Sequence, residues 1–439
     1  MKSPVRILRF LLALILVASL MLPLTACAAD SGSAAQSKVA DYGTYGSKLA
    51  LKLAADFPTR SPGSAEETAA REFLTDAFKD LGYKVTVQEF TFTTADGQSA
   101  SSANMIVNLD GTGVPVTDAS GKKSVEQRQV IIGAHYDVSV TAEQAAAAAA
   151  AASATTTQAT TTAATESSAE TTTETTASIP EPTLADFDGI HANASGIGAL
   201  FTAAKQLKRV DREYDVVLIA FGAGTAAQAG AKAYLHSMSE EDIARTDAMY
   251  NIDGVYAGDE MYAHAGQNSV LPGNQKIYEK RRKLYEATDV FFENELYTNN
   301  GYNLNTNQSS INVLLGDTGN TAIYREWTQH ESDHTPFDQA GIPIVFFESY
   351  DYDYAKLEDM KETKNPALSA TGGKVRDTQF DSTAFLQYLF TNTSTQAKTD
   401  SKKKATTVER LEQRINNTAF VIVEAVKKRE TVTTGTTTG

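Results

Sequence analysis

The 439-residue sequence has one cysteine, Cys27. A chain with a single thiol can form no internal disulfide, so whatever holds this fold is packing and hydrogen bonding. Positive charge is scarce as well. There are 39 Lys and Arg against 54 Asp and Glu, a net charge of −15, and the one basic run is Lys402 to Lys404. That balance excludes nucleic acid as a partner and favours solubility outside the cell. No long hydrophobic run is evident either. The most apolar stretch, Phe10 to Leu22, is too short and wrongly flanked for a membrane span.

That stretch instead reads as the core of a targeting segment over residues 1–27. Lys2, Arg6 and Arg9 precede it, and Leu24-Thr25-Ala26-Cys27 closes it. The closing pattern resembles a bacterial lipobox, in which the cysteine is lipidated and becomes the new N-terminus. An ordinary signal peptide with a chance cysteine is the alternative. Loss of the segment removes three basic residues and leaves 36 basic against 54 acidic, a net charge of −18. The expected location is the extracytoplasmic face of the cell membrane, held there by lipidated Cys27. Residues 28–48 are small and polar and read as a tether.

With 42% hydrophobic residues, the remainder can build one large domain. "ETAAREFLTDAFKDLGYKV" is an amphipathic helix that stops at Gly82 and turns into a strand. "QVIIGA" (129–134), "DVVLIAFGA" (215–223), "AMYNID" (248–253) and "GIPIVFFES" (341–349) are apolar strand runs. Between them lies "NASGIGALFTAAKQLKR", with Ile197, Leu200, Phe201, Ala204 and Leu207 on one helical face, and "AKAYLHSM" opens a further helix. A long helix over "VERLEQRINNTAFVIVEAVKK" follows near the end. Strands alternating with helices imply an α/β fold, a mostly parallel central sheet with helices on both faces. Residues 141–180 hold an Ala run (145–152) and a Thr/Ala/Glu/Ser tract, too poor in apolar variety to join a core. This insertion and the tail, 429–439, are expected to be disordered or stalk-like.

Five motifs occur in order on these elements: "GAHYD" (133–137), "NASG" (193–196), "FGA" (221–223), "NID" (251–253) and "SDHTPFDQAGIP" (332–343); "RSPGS" (60–64) precedes the first helix. Over residues 49–428 the chain resembles the di-zinc aminopeptidase family, of the bacterial leucyl aminopeptidase type, which includes glutamate carboxypeptidase and the transferrin receptor ectodomain. The resemblance implies a three-layer sandwich with two zinc ions at the carboxyl ends of the parallel strands. It implies that the position of His135 binds the first zinc and that Asp137 orients that histidine. Asp253 would join His135 on the first zinc, and His334 would bind the second.

The other positions that the resemblance points to carry no such groups. The bridging aspartate position is Ala192, the general-base position is Gly224 and the second-zinc glutamate position is Thr225. His135, Asp253 and His334 are therefore residual metal candidates. A single zinc or iron on those three is conceivable, and His191, next to the missing aspartate, is a candidate substitute. "HESDH" (330–334) also reads H-E-x-x-H, a zincin signature that needs one helix carrying both histidines. Pro336 argues against that helix. His236 and His264 fit no pattern and read as ordinary surface or packed side chains.

Two function classes follow. The favoured one is a non-catalytic binding or scaffold homologue for peptides or protein N-termini, with no cofactor expected. The rival is an active zinc-dependent metallo-exopeptidase with a rebuilt or mononuclear site.

Overall fold

The computed structural model describes residues 38–118, 120–162, 181–270, 277–298, 302–307, 311–314, 318–324, 328, 330–353, 359–393, 409–427 and 432–433. The targeting segment, most of the tether, residues 163–180 and nearly all of the tail lie outside these.

The helices used below are α1 (Tyr45–Asp56), α2 (Ala65–Asp80), α3 (Ala142–Thr162), α4 (Ser195–Leu207), α5 (Ala229–Ser237), α6 (Ile277–Glu293), α7 (His334–Gln339), α8 (Thr383–Thr393) and α9 (Arg410–Lys427). The strands of the central sheet are β1 (Thr86–Thr93), β2 (Ser99–Leu109), β3 (Gln129–His135), β4 (Asp215–Phe221), β5 (Thr246–Ile252), β6 (Glu260–His264), β7 (Leu304–Thr306) and β8 (Ile344–Tyr350).

The eight strands run in the order β1-β2-β4-β3-β5-β8-β6-β7. The middle four, β4-β3-β5-β8, are mutually parallel. β2 joins one side of them antiparallel and β6 the other. Every residue of β3 and β8 is buried, which is why these segments read as continuous apolar runs rather than as an alternation. One face is covered by α1, α4, α6 and α9, around Leu53, Leu200, Leu284 and Ile422. Ala231 of α5 and Phe337 of α7 pack on the other face, against Ile219 and Phe346. This is the expected α/β sandwich.

Local chemistry explains the element ends. The Ser64 hydroxyl caps α2 by accepting from Glu67 N at 3.0 Å, with Glu66 and Glu67 in its first turn. Gly82, at φ +77°, supplies the left-handed turn that ends it.

Three expectations are corrected. Residues 38–48 are not tether: Val39 and Tyr42 are buried in the core, and Tyr42 packs against Phe420 of α9. The first part of the insertion, Ala142–Thr162, is a helix. Alanine is the strongest helix former, and the composition that rules out a core does not rule out an exposed helix. Finally, Pro336 does not push Thr335 out of helical geometry: α7 starts at His334 and places the proline in its first turn, where no N–H is needed, although no helix carries both His330 and His334.

Candidate active-site corner

The middle strands end at a common edge, and the motif residues gather there. His135 is the last residue of β3, and Asp253 follows β5 directly. His135 Nε2 lies 3.3 Å from Asp253 Oδ1. Its Nδ1 faces the main-chain carbonyl of Asp137 at 3.1 Å, with that residue's carboxylate at 3.5 Å. Asp137 thus contacts the imidazole chiefly through its backbone carbonyl.

The Asp137 carboxylate is engaged elsewhere. Gly224 N donates to Oδ1 at 2.6 Å, and Thr225 N and Oγ1 donate to Oδ2 at 2.9 and 2.6 Å. The turn after β4 thus brings three donors and no carboxylate of its own, and it closes on Asp137. Gly224 is required here for space. A Cβ on it would sit 2.4 Å from His135 Cβ. Behind the turn, buried Glu67 of α2 accepts from Ala223 N at 2.9 Å and from Ser102 Oγ at 2.7 Å. Burial, with Asp137 close by, pushes its carboxyl up to about 7.

Asp253 has two further partners. Ser332 Oγ donates to Oδ2 at 2.8 Å, and Arg376 Nη1 donates to Oδ1 at 2.6 Å. Burial alone would raise this carboxyl, but Arg376 and His135 outweigh it and hold it well below the usual carboxylate range. Burial alone would lower His135, but Asp253 and Asp137 outweigh it and raise its basicity well above that of a free imidazole. Arg376 is itself anchored. The backbone N–H groups of Val375 and Arg376 donate to Glu362 Oε2, and the guanidinium Nε lies 3.8 Å from Glu362 Oε1.

His334 is near but not joined to this pair. Its Nδ1 lies 3.4 Å from Asn251 Nδ2, and its ring stacks on Phe346 at 4.2 Å. Asn251 in turn donates to Ser332 Oγ at 2.9 Å, so His334 stands three hydrogen-bond steps from Asp253, through Asn251 and Ser332. Burial pushes it down to about 4. The neighbouring Asp333 is buried with neither carboxylate oxygen hydrogen-bonded, and burial raises it to about 7.

His191 has other partners. Its Nδ1 accepts from Ala257 N at 3.3 Å, and its Nε2 meets Glu362 at 3.0 Å. Ala192 offers its N–H to Asp381 Oδ2 at 3.0 Å, beside the His191 N–H on Oδ1 at 2.7 Å. Arg60 of "RSPGS" ties the same turn to β3: Nε donates to Tyr136 O at 2.6 Å and Nη2 to Gly189 O at 2.9 Å.

The two histidines of "HESDH" do not share a helix, since His330 precedes α7. His330 Nδ1 lies 3.2 Å from Glu348 Oε2. His264, expected to be unremarkable, is fully buried with Nε2 2.9 Å from the other oxygen of Glu348. His236 is exposed. Among the described residues, no three His, Cys, Asp or Glu side chains are grouped so as to hold a metal ion.

Sequence reasoning missed Arg376, Glu362, Asp381 and Glu67. Three of them come from the 362–381 stretch, which has no strand or helix periodicity to mark it. A buried role for Glu67 was hinted at only by its place three residues after the Ser64 cap.

Comparisons with known proteins agree with the architecture. The family model of peptidase family M28 matches residues 115–378, which include His135, Asp253, His334 and Arg376. The alkaline phosphatase isozyme conversion protein of Escherichia coli K12 is 23% identical over 344 residues, 77% of this chain and 81% of that one. Aminopeptidase YwaD of Bacillus subtilis 168 is also 23% identical, over 180 residues, 41% of this chain and 33% of that one. A solved structure of a Bacillus subtilis zinc aminopeptidase superposes with a TM-score of 0.51 at 13% identity. It covers 89% of this chain and 96% of that one, a likeness of fold. Sequence motifs, sheet order and family match converge on one statement: this chain belongs to peptidase family M28.

Proposed function

We propose that this protein is an exported, lipid-anchored member of the family that does not catalyse peptide hydrolysis. Its domain would serve as a binding module for peptides or protein N-termini on the extracytoplasmic face of the membrane.

One observation carries the reading: the Arg376 guanidinium donates to the same Asp253 oxygen that faces His135 Nε2. An arginine stays protonated at any physiological pH and has no lone pair to offer a metal. It supplies beside Asp253 the positive charge that a zinc ion would bring, and it shares the oxygen that such an ion would need. Residues beside it do not compensate. Ala192, Gly224 and Thr225 bring no carboxylate, and His334 is occupied with Asn251 and Phe346. A catalytic zinc normally keeps three protein ligands and an open position for water. This donor set therefore does not fit the ion. A general base is missing from the turn as well, which by itself costs about 10² to 10⁴ in rate.

What the arrangement does well is hold loops together. Arg376 links the segment after β5 to the stretch that precedes α8, and Asp137 fastens the turn after β4. The test is hydrolysis of aminoacyl-p-nitroanilides by the purified chain with zinc added. No turnover above the uncatalysed rate is expected. Zinc-dependent turnover that disappears in His135→Ala would overturn the reading and favour the exopeptidase.

A further inference from the structure

Few large apolar side chains of the described residues lie open to solvent, and two of those few are neighbours. Phe292, near the end of α6, is 63% exposed, and Tyr297, in the turn that follows, is 46% exposed. Both rings lean on buried Phe291, with centroids 5.1 and 6.1 Å from it. They form one aromatic patch. Beneath it, Leu296 and Tyr302 are buried, so the patch rests on a firm base. Left-handed Glu295, at φ 50°, turns the chain there.

The same end of the molecule is where the chain enters the fold. Lys38 is the first described residue, and its Nζ lies 3.4 Å from Asn294 Oδ1, two residues after Phe292 and three before Tyr297. Buried Val39 and Tyr42 fix this entry point. Between Cys27 and Lys38 run ten residues, AADSGSAAQS. Fully extended, they and their links span at most about 40 Å. A lipid on Cys27 would thus keep the end that bears Phe292 and Tyr297 within about 40 Å of the bilayer.

We infer that Phe292 and Tyr297 are the membrane-docking patch of the anchored domain, seating it on the lipid surface beside its own tether. The inference rests on the lipid-anchor reading of Cys27. Amphipathic aromatic rings partition into the headgroup layer, so the patch would fix how the anchored domain sits on the bilayer. Glu293 and Glu295 flank the rings. The surface therefore suits zwitterionic lipid and gains nothing from anionic lipid.

Because Cys27 is the only thiol, the tether can be rebuilt chemically. The chain from Cys27 onward keeps every described residue, and it would be coupled through Cys27 to a maleimide lipid in phosphatidylcholine vesicles. Quenching by bromine-labelled lipid is then read for Phe292→Trp and for Val87→Trp, the latter an exposed site on β1, at the opposite edge of the central sheet from the strands on which α6 packs, each against the parent's own Trp327 signal. About a twofold quenching of the added emission is expected for Phe292→Trp and little for Val87→Trp. Equal quenching at both positions would overturn the inference. So would a dimer of the uncoupled chain, detected by sedimentation, that Phe292→Ser dissolves, because the patch would then belong to a second copy. Natural acylation of Cys27 is read separately, from the mass of the N-terminal peptide, so failure of the anchor and failure of the patch are distinguishable.

Discussion

Arg376 Nη1 lies 2.6 Å from Asp253 Oδ1, and both side chains are almost wholly withdrawn from solvent, at 14% and 5% exposure. Charges so buried depend on each other. Removing one leaves the other desolvated and unpaired, which typically costs about 3 to 5 kcal/mol. Arg376→Ala should therefore destabilise the fold by about that amount in chemical denaturation. Arg376→Lys keeps the charge but loses the planar fork, and it should recover only part of the loss. A variant within about 0.5 kcal/mol of the parent would show that the pair is not integral to the fold.

Glu362 makes the same network sensitive to acid. Burial would raise its carboxyl, but His191 and Arg376 outweigh it and bring it down to about 2. The unfolded value is about 4.3. A depressed folded value gives stability that is complete above the unfolded value and is lost as pH falls through the folded one. The contribution, about 3 kcal/mol, should thus be present above about pH 5 and vanish between pH 4 and pH 2. Glu362→Gln should flatten the stability profile in that window. An unchanged slope would contradict the assignment.

The turn after β4 carries its own test. A Cβ at Gly224 would sit 2.4 Å from His135 Cβ and 2.7 Å from Cγ. Gly224→Ala should cost about 1 to 3 kcal/mol through overpacking. Thr225→Val, which deletes only the hydroxyl on Asp137, should cost about 1 kcal/mol. The crowding also bears on rebuilding the site. Ala192→Asp, Gly224→Glu and Thr225→Glu together should take up no zinc while Arg376 holds Asp253. Isothermal titration of this triple variant, with and without Arg376→Ala, reads the difference. Uptake of two zinc ions with Arg376 in place would show that the guanidinium is no obstacle.

The anchor is tested in cells. Cys27→Ser should move the protein from the membrane fraction to the soluble extracytoplasmic fraction. A variant held as tightly as the parent would rule out lipidation at this residue.

The sheet was legible in the sequence because its parallel strands are buried on both faces and so appear as unbroken apolar runs ending in motif residues. His135, Asp137 and Asp253 were named through the resemblance to the di-zinc aminopeptidase family, whose motifs fall at or just past the ends of those strands. Arg376 was not, because its meaning comes from a contact across 123 residues of chain that leaves no local pattern. His334 was placed with the metal candidates on its motif, yet the fold gives its ring to Phe346 and its Nδ1 to Asn251. The Ala run misled in a different way. Low complexity rules out a packed core, but a helix needs only backbone hydrogen bonds and a favourable propensity.

The central claim is that a guanidinium, and not a metal ion, provides the positive charge against Asp253. Elemental analysis of the purified chain after dialysis against zinc, combined with thermal unfolding with and without a chelator, measures this most directly. The account predicts less than one zinc per chain and an unfolding temperature indifferent to chelation. Two tightly held zinc ions per chain, whose removal lowers the unfolding temperature, would contradict it.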